Sequence, residues 1–224
     1  MTHLDRCKLV KQALSEGWSK LAPDGKPIAL RFAILAAVLS RQNEGKQGAG
    51  LTGGKQQEDL FRDMLMYCDR RFSETAPEAV QDADYYFEGY PLSHKTIGFN
   101  GAGDLALAWS KNGPSGLVRN EFHASMVIMC LRDPAKSGPL RGAAQGAYVI
   151  PIDWLQANIT FSSNNKTDSL IRASEIGRGM QYAKSQGLLV PLAYRHGAGG
   201  TARVSVWYSG AGTDAPPLGP SATS

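Results

Sequence analysis

Asp168-Ser-Leu-Ile-Arg-Ala-Ser-Glu-Ile176 runs into Gly177-Arg-Gly179, then Met180-Gln-Tyr-Ala-Lys-Ser-Gln186 and Gly187. Leu188-Leu-Val-Pro-Leu-Ala-Tyr194 follows, then Gly197-Ala-Gly-Gly200 and Ala202-Arg-Val-Ser-Val-Trp-Tyr208. The first nine residues have the composition of a short helix, the two glycines offer a sharp turn, and a second helical piece ends at Gly187. Two apolar runs around a glycine-rich turn then predict a hairpin. Glycine inside a helix costs about 1 kcal/mol against alanine, so two glycines at 177 and 179 favour a turn. Taken instead as one continuous helix, the segment carries a narrow apolar stripe of Ala173, Ile176, Met180 and Ala183, with Ser174, Arg178, Gln181 and Ser185 facing outward. In either geometry Arg178 and Gln181 are exposed.

Toward the N-terminus, Leu4, Cys7, Val10, Leu14, Trp18 and Leu21 recur at helical spacing and predict an amphipathic helix. Pro23-Asp-Gly25 breaks it, and Pro27 suits the first turn of a second, core helix over 28–42. Residues 43–55 hold five glycines and read as a loop, after which Leu60, Phe61, Met64, Leu65 and Cys68 return to helical spacing over 56–72. The middle changes character. Short apolar runs at 105–109, 117–122, 125–131 and 147–152 predict strands, and the run at 125–131 is apolar enough for a strand buried on both faces. The last sixteen residues contain almost nothing to bury and predict a disordered tail.

The chain has 224 residues, a formal charge of +4 and a pI near 9.0. Its charge is segmented. Residues 1–73 carry twelve Lys/Arg against eight Asp/Glu, residues 74–104 six acids against Lys95 alone, and residues 160–208 six bases against two acids. Such a balance permits attraction to phosphate. Cys7, Cys68 and Cys130 are far apart and odd in number, with no metal spacing, and read as reduced thiols of a cytoplasmic protein. The N-terminus lacks the layout of a secretory signal, and the most apolar stretch is short for a membrane span and interrupted by Arg31.

Gly48, Gly50 and Gly53 spell GxGxxG, but no strand leads into them, so the dinucleotide context is missing. The same loop, with Lys46 and Lys55, can touch a phosphate through its backbone amides. Asp82, Asp84 and Glu88 are candidates for metal ligands or an acid/base pair, set against the plainer reading of a solvated acidic cluster. His94 and His123 are isolated, and no triad, nucleophile elbow or metal pattern appears. The sequence therefore reads as non-catalytic and without a cofactor.

Ala173, Ile176, Gly177 and Ala183 occupy the places of a helix-turn-helix, and this segment with its following hairpin resembles the winged-helix class of DNA-binding proteins. Arg172, Arg178 and Gln186 depart from that pattern, standing where it is usually apolar. With the helical and short-stranded segments read above, the expected fold is α+β. Its expected parts are a helical region over 1–75 with room for a first winged helix around 28–72, a short-stranded β region over 76–152, a winged-helix-like unit over 153–208 and a disordered tail over 209–224. The resemblance implies a non-catalytic binder of double-stranded DNA, of the kind found in plasmid or phage replication and transcription control. Arg178, Gln181 and Lys184 would reach a groove while Arg172, Arg195 and Arg203 hold phosphates. The expected partner is nucleic acid, with DNA favoured over RNA and no membrane. The alternative is an oligomerising subunit of a nucleoprotein assembly, such as a virus coat protein or a component of an RNA-guided complex.

Overall fold

Met126 to Leu131 is buried at every position, and the sheet is built outward from this strand. The computed structural model describes residues 1–21, 61–63, 65–66, 69–74, 83–97, 105–109, 124–131, 138–159, 161–164, 168–199 and 202–209. At 18–21, 105–109, 161–164, 168–170, 173, 193–199 and 202–209 the description is of the backbone alone. The elements in chain order are α1 (His3–Leu21), β1 (Phe72–Ser73), β2 (Tyr85–Phe87), β3 (Tyr90–Ile97), β4 (Leu105–Trp109), β5 (Met126–Leu131), β6 (Gly146–Pro151), α2 (Ile152–Asn158), β7 (Phe161–Asn164), β8 (Asp168–Ile171), α3 (Ala173–Ser185), β9 (Leu189–Gly199) and β10 (Ala202–Ser209). Residues 61–63 and 65–66 are also helical.

Seven strands form a mixed sheet in the order β1-β2-β3-β5-β6-β9-β10, and β4-β8-β7 form a second, antiparallel sheet. Among the described strands β3 and β5 are the one parallel pair. The register separates the two faces of the large sheet. Ser93 lies beside Val127 and then Ile150, and Lys95 beside Met129 and then Tyr148. On the opposite face His94 lies beside Ile128, one step from Met126.

The Cys7 thiol of α1 sits 3.8 Å from the Met126 sulfur, and Phe61 meets the His94 ring edge-on at 4.6 Å, so α1 and the helical residues around 61 cover that face. A Cβ at Gly179 would stand 3.2 Å from Ile150 Cδ1, so α3 covers the other face. The arrangement is three-layered, as expected when a sheet is apolar on both sides. Cys7 and Cys130 are buried, and burial pushes the Cys7 thiol well above its ordinary pKa.

This architecture corrects the expected α+β layout of a helical N-terminal third, a β middle and a winged-helix unit. Asp168 to Ile171 is a strand, not the start of a helix. The helix begins at Ala173 and runs without a turn through Gly177 and Gly179 to Ser185. The glycines serve packing instead. A Cβ at 177 would meet the Pro139 carbonyl oxygen at 2.9 Å, and one at 179 would press on Ile150. Their cost in helix propensity is offset by bringing the helix backbone close to a turn and a strand.

The helix ends in a Schellman motif. Gly187 (φ +69°) donates to Lys184, and Leu188 donates to Ala183. The hairpin exists, but it is no free wing: β9 pairs with β6 and extends the large sheet. Gly197 and Gly199 lie within the paired strands. α1 stands where the spacing predicts it, whereas Phe72, expected in a helix, belongs to β1. The expected helix over 28–42, the glycine loop with Lys46 and Lys55, the strand at 117–122 and the tail beyond 209 lie outside the described residues.

Candidate functional site

β2 and β3 form a tight hairpin. Tyr85-Tyr-Phe87 and Tyr90 to Ile97 are rich in aromatic and β-branched residues, and the two residues between them, Glu88 and Gly89, both have positive φ (50° and 81°). That is the type I′ geometry whose twist matches a hairpin. The register pairs Tyr85 with Leu92, and the Asp84 amide donates to the Leu92 carbonyl, so Asp84 comes to lie beside Ser93.

Three donors from β3 converge on Asp84 Oδ2: the His94 amide at 2.6 Å, Ser93 Oγ at 3.3 Å and Lys95 Nζ at 3.4 Å. The pair is partly sheltered, with the Lys95 side chain 18% and the Asp84 side chain 29% exposed. Oδ1 has no partner among the described residues, so one carboxylate oxygen is anchored and the other is open. A carboxylate and an ammonium fixed side by side in this way can bind the two ends of a polarised group: a cation on the oxygen, an anion on the nitrogen.

His94 points to the other side of the sheet. It is fully buried, its Nδ1 lies 3.4 Å from the Tyr85 hydroxyl, and its Nε2 has no hydrogen-bond partner among the described residues. Burial pushes its pKa down to about 3; the Asp84 charge opposes that shift and Lys95 reinforces it. The imidazole is therefore neutral at pH 7 and contributes its backbone amide, not its ring, to Asp84.

Of the acidic cluster expected from the sequence, only Asp84 reaches this site. Glu88 is exposed in the hairpin turn, and Asp82 lies outside the described residues. Ser93 and Lys95 were not anticipated. Their signal was the hairpin itself, two β-rich runs separated by two residues of which the second is glycine. Among the described residues no three His, Cys, Asp or Glu side chains gather as a metal cluster, and no helix is long and apolar enough to cross a membrane.

The expected nucleic-acid contacts divide into two groups. Arg178, Gln181 and Lys184 are exposed on α3, and Arg172 is exposed at its N-cap. Arg178 is held by Glu175 at 2.7 Å. Arg195 and Arg203 stand in β9 and β10, opposite Val206 and Ala198, and their side chains lie outside the described residues. Because Ser93, Lys95 and Ile150 share a face, and α3 lies on Ile150, the α3 surface and the Asp84–Lys95 pair belong to the same side of the sheet.

No family model and no curated protein matches the chain. One solved structure that it resembles, described as a restriction endonuclease in complex with substrate DNA, superposes with a TM-score of 0.42 and 14% identity over 80% of each chain. At that score the strand order described above stands on its own hydrogen bonds. That solved structure is described as an enzyme, whereas the sequence reading expects a non-catalytic protein.

Proposed function

We propose that the chain binds DNA and hydrolyses its phosphodiester bonds at the Asp84–Ser93–Lys95 site. The observation that carries the reading is the single carboxylate oxygen of Asp84, fixed by three β3 donors that include Lys95 Nζ, while its second oxygen has no partner among the described residues. A hard divalent cation of the magnesium type fits this donor set. Such ions are held by one or two carboxylates, with waters and the substrate's phosphate supplying the rest, rather than by a protein cage. When bound, it would neutralise charge on the phosphate.

The chain's own residues then have distinct tasks. Asp84 Oδ1 would hold the cation, while the His94 amide and Ser93 Oγ keep the carboxylate from rotating. Lys95 Nζ faces a non-bridging phosphate oxygen, where negative charge builds in the transition state. Water adds to phosphorus and the bond to one sugar oxygen breaks. One water proton ends on that oxygen, and the other remains with the new phosphomonoester or ionises from it.

The α3 surface on the same side of the sheet is cationic and supports DNA as the substrate. B-form DNA has a major groove about 12 Å wide that admits a helix, whereas A-form RNA does not. The test is cleavage of plasmid and linear duplex DNA with magnesium, set beside binding measured by fluorescence anisotropy in calcium. Asp84→Asn and Lys95→Ala should each lower cleavage by about a hundredfold or more while binding persists. Cleavage retained in both variants, or no cleavage by the wild-type protein on any duplex, defeats the reading.

A further inference from the structure

Residues 138–143 form two consecutive turns, in which the Arg141 amide donates to the Gly138 carbonyl and the Ala143 amide to the Leu140 carbonyl. Gly138 and Gly142, both at φ +78°, provide the left-handed backbone that such close turns require. Leu140 is buried, while Pro139 and Arg141 are exposed. The turn is seated on α3 at Gly177, where a Cβ would meet Pro139 O at 2.9 Å and Leu140 Cδ2 at 3.6 Å.

Gly177 and Lys184 are seven residues apart and so lie on one flank of the helix. Arg141 is two residues from Pro139, at most about 7 Å along the chain. The turn therefore sets Arg141 beside the flank of α3 that carries Gly177 and, about 10 Å further along the helix axis, Lys184. Neither Arg141 nor Lys184 has an acidic partner among the described residues, in contrast to Arg178, which Glu175 already occupies.

Resting on the reading of a DNA substrate, we infer that Arg141 and Lys184 form a phosphate-binding flank beside α3. They grip the backbone of a duplex while Arg178 and Gln181 face its groove. Two unpaired cations on adjoining elements, one held by a double turn and one by a helix, suit a row of phosphates better than a compact anion. The turn seats at a glycine, so the spacing of the two backbone segments that carry the cations is set by close contact. This gives the sheet face two separable functions: chemistry at β2–β3, and grip at α3 with the 138–143 turn.

The experiment is anisotropy with a fluorescein-labelled 20-base-pair duplex at several potassium chloride concentrations, in calcium, on wild-type protein, Arg141→Ala, Arg141→Glu and Arg141→Ala/Lys184→Ala. Each lost phosphate contact should reduce the slope of log affinity against log salt by about one. Arg141→Ala should weaken binding by about three- to tenfold at low salt, with Arg141→Glu weaker still. Thermal midpoints should be unchanged, since Arg141 is exposed. Wild-type slope and affinity in Arg141→Ala and Arg141→Glu, from a protein that binds duplex, overturn the flank and leave the DNA reading standing. No duplex binding by the wild-type protein overturns both. Loss of grip in the Arg141 variants, with Asp84→Asn binding normally, supports the flank independently of the chemistry.

Discussion

Gly177 lies so close to Pro139 that a Cβ on it would stand 2.9 Å from the Pro139 carbonyl oxygen, whereas one on Gly179 would meet side chains alone, the nearest being the Ile150 methyl at 3.2 Å. The two glycines of α3 therefore differ in consequence although each breaks the same propensity rule. Gly177→Ala forces a backbone oxygen to move and should destabilise the protein by about 1–3 kcal/mol. Gly179→Ala displaces the end of a flexible side chain and recovers about 1 kcal/mol of helix propensity, so it should be close to neutral. Urea midpoints of the two variants, measured side by side, check the contrast.

Ser93 is the weakest of the three donors on Asp84, at 3.3 Å and without charge. Ser93→Ala leaves the His94 amide and Lys95 in place, so cleavage should fall by less than about tenfold, against a hundredfold or more for Asp84→Asn. Single-turnover cleavage rates under magnesium decide it. Equal losses in the two variants would show that Ser93 does more than hold the carboxylate.

Arg178 shares its guanidinium with Glu175 one turn away. Arg178→Ala should weaken duplex binding by about 1–3 kcal/mol if the side chain reaches a base edge. Glu175→Gln frees Arg178 and removes a negative charge, so it should tighten binding a few-fold and cost the helix about 0.3–0.5 kcal/mol. Anisotropy titrations and thermal melts of both variants test this pair of opposite effects. Weaker binding in Glu175→Gln would show that the ion pair presents Arg178 rather than withholding it.

Tyr148 donates its hydroxyl to the Ala144 carbonyl at 2.6 Å, and burial pushes its pKa up to about 12. The folded protein keeps this proton through a range in which the unfolded chain, titrating near 10, loses it. Stability from this group is thus complete below pH 10 and declines as pH rises toward 12. Tyr148→Phe should be about 1 kcal/mol less stable at pH 7 for want of the hydrogen bond, with a shallower decline between pH 10 and 12. Denaturant midpoints across that range for both proteins provide the check.

Local periodicity is enough to place α1, β4, β5 and β6, because each shows its apolar face or run in its own residues. It did not place α3 correctly. Propensity counts the cost of Gly177 and Gly179 but is blind to the Pro139 turn and the Ile150 side chain that require them. Asp168 to Ile171 resembles a helix start in composition, yet it pairs with β4, about sixty residues earlier, and that partner overrides its local preference. The site was half legible. Asp84 was singled out, but its neighbours Ser93 and Lys95 reach it only across the hairpin, and the acidic and aromatic residues around 82–90 drew the reading toward a surface cluster. The exposure of Arg178 and Gln181 is legible for a physical reason: both face outward whether or not the helix is broken.

The β2–β3 hairpin also sets an order of events during folding. Asp84, Ser93 and Lys95 are joined by a two-residue turn, and hairpins of this kind close in about 1–10 μs. Their parallel neighbour β5 begins only at Met126 and must first cross from one end of the sheet to the other. α3 arrives later still along the chain. The groups assigned to chemistry thus meet within one of the two most local strand pairings of the sheet, and the long-range pairing with β5 is needed only to shelter them.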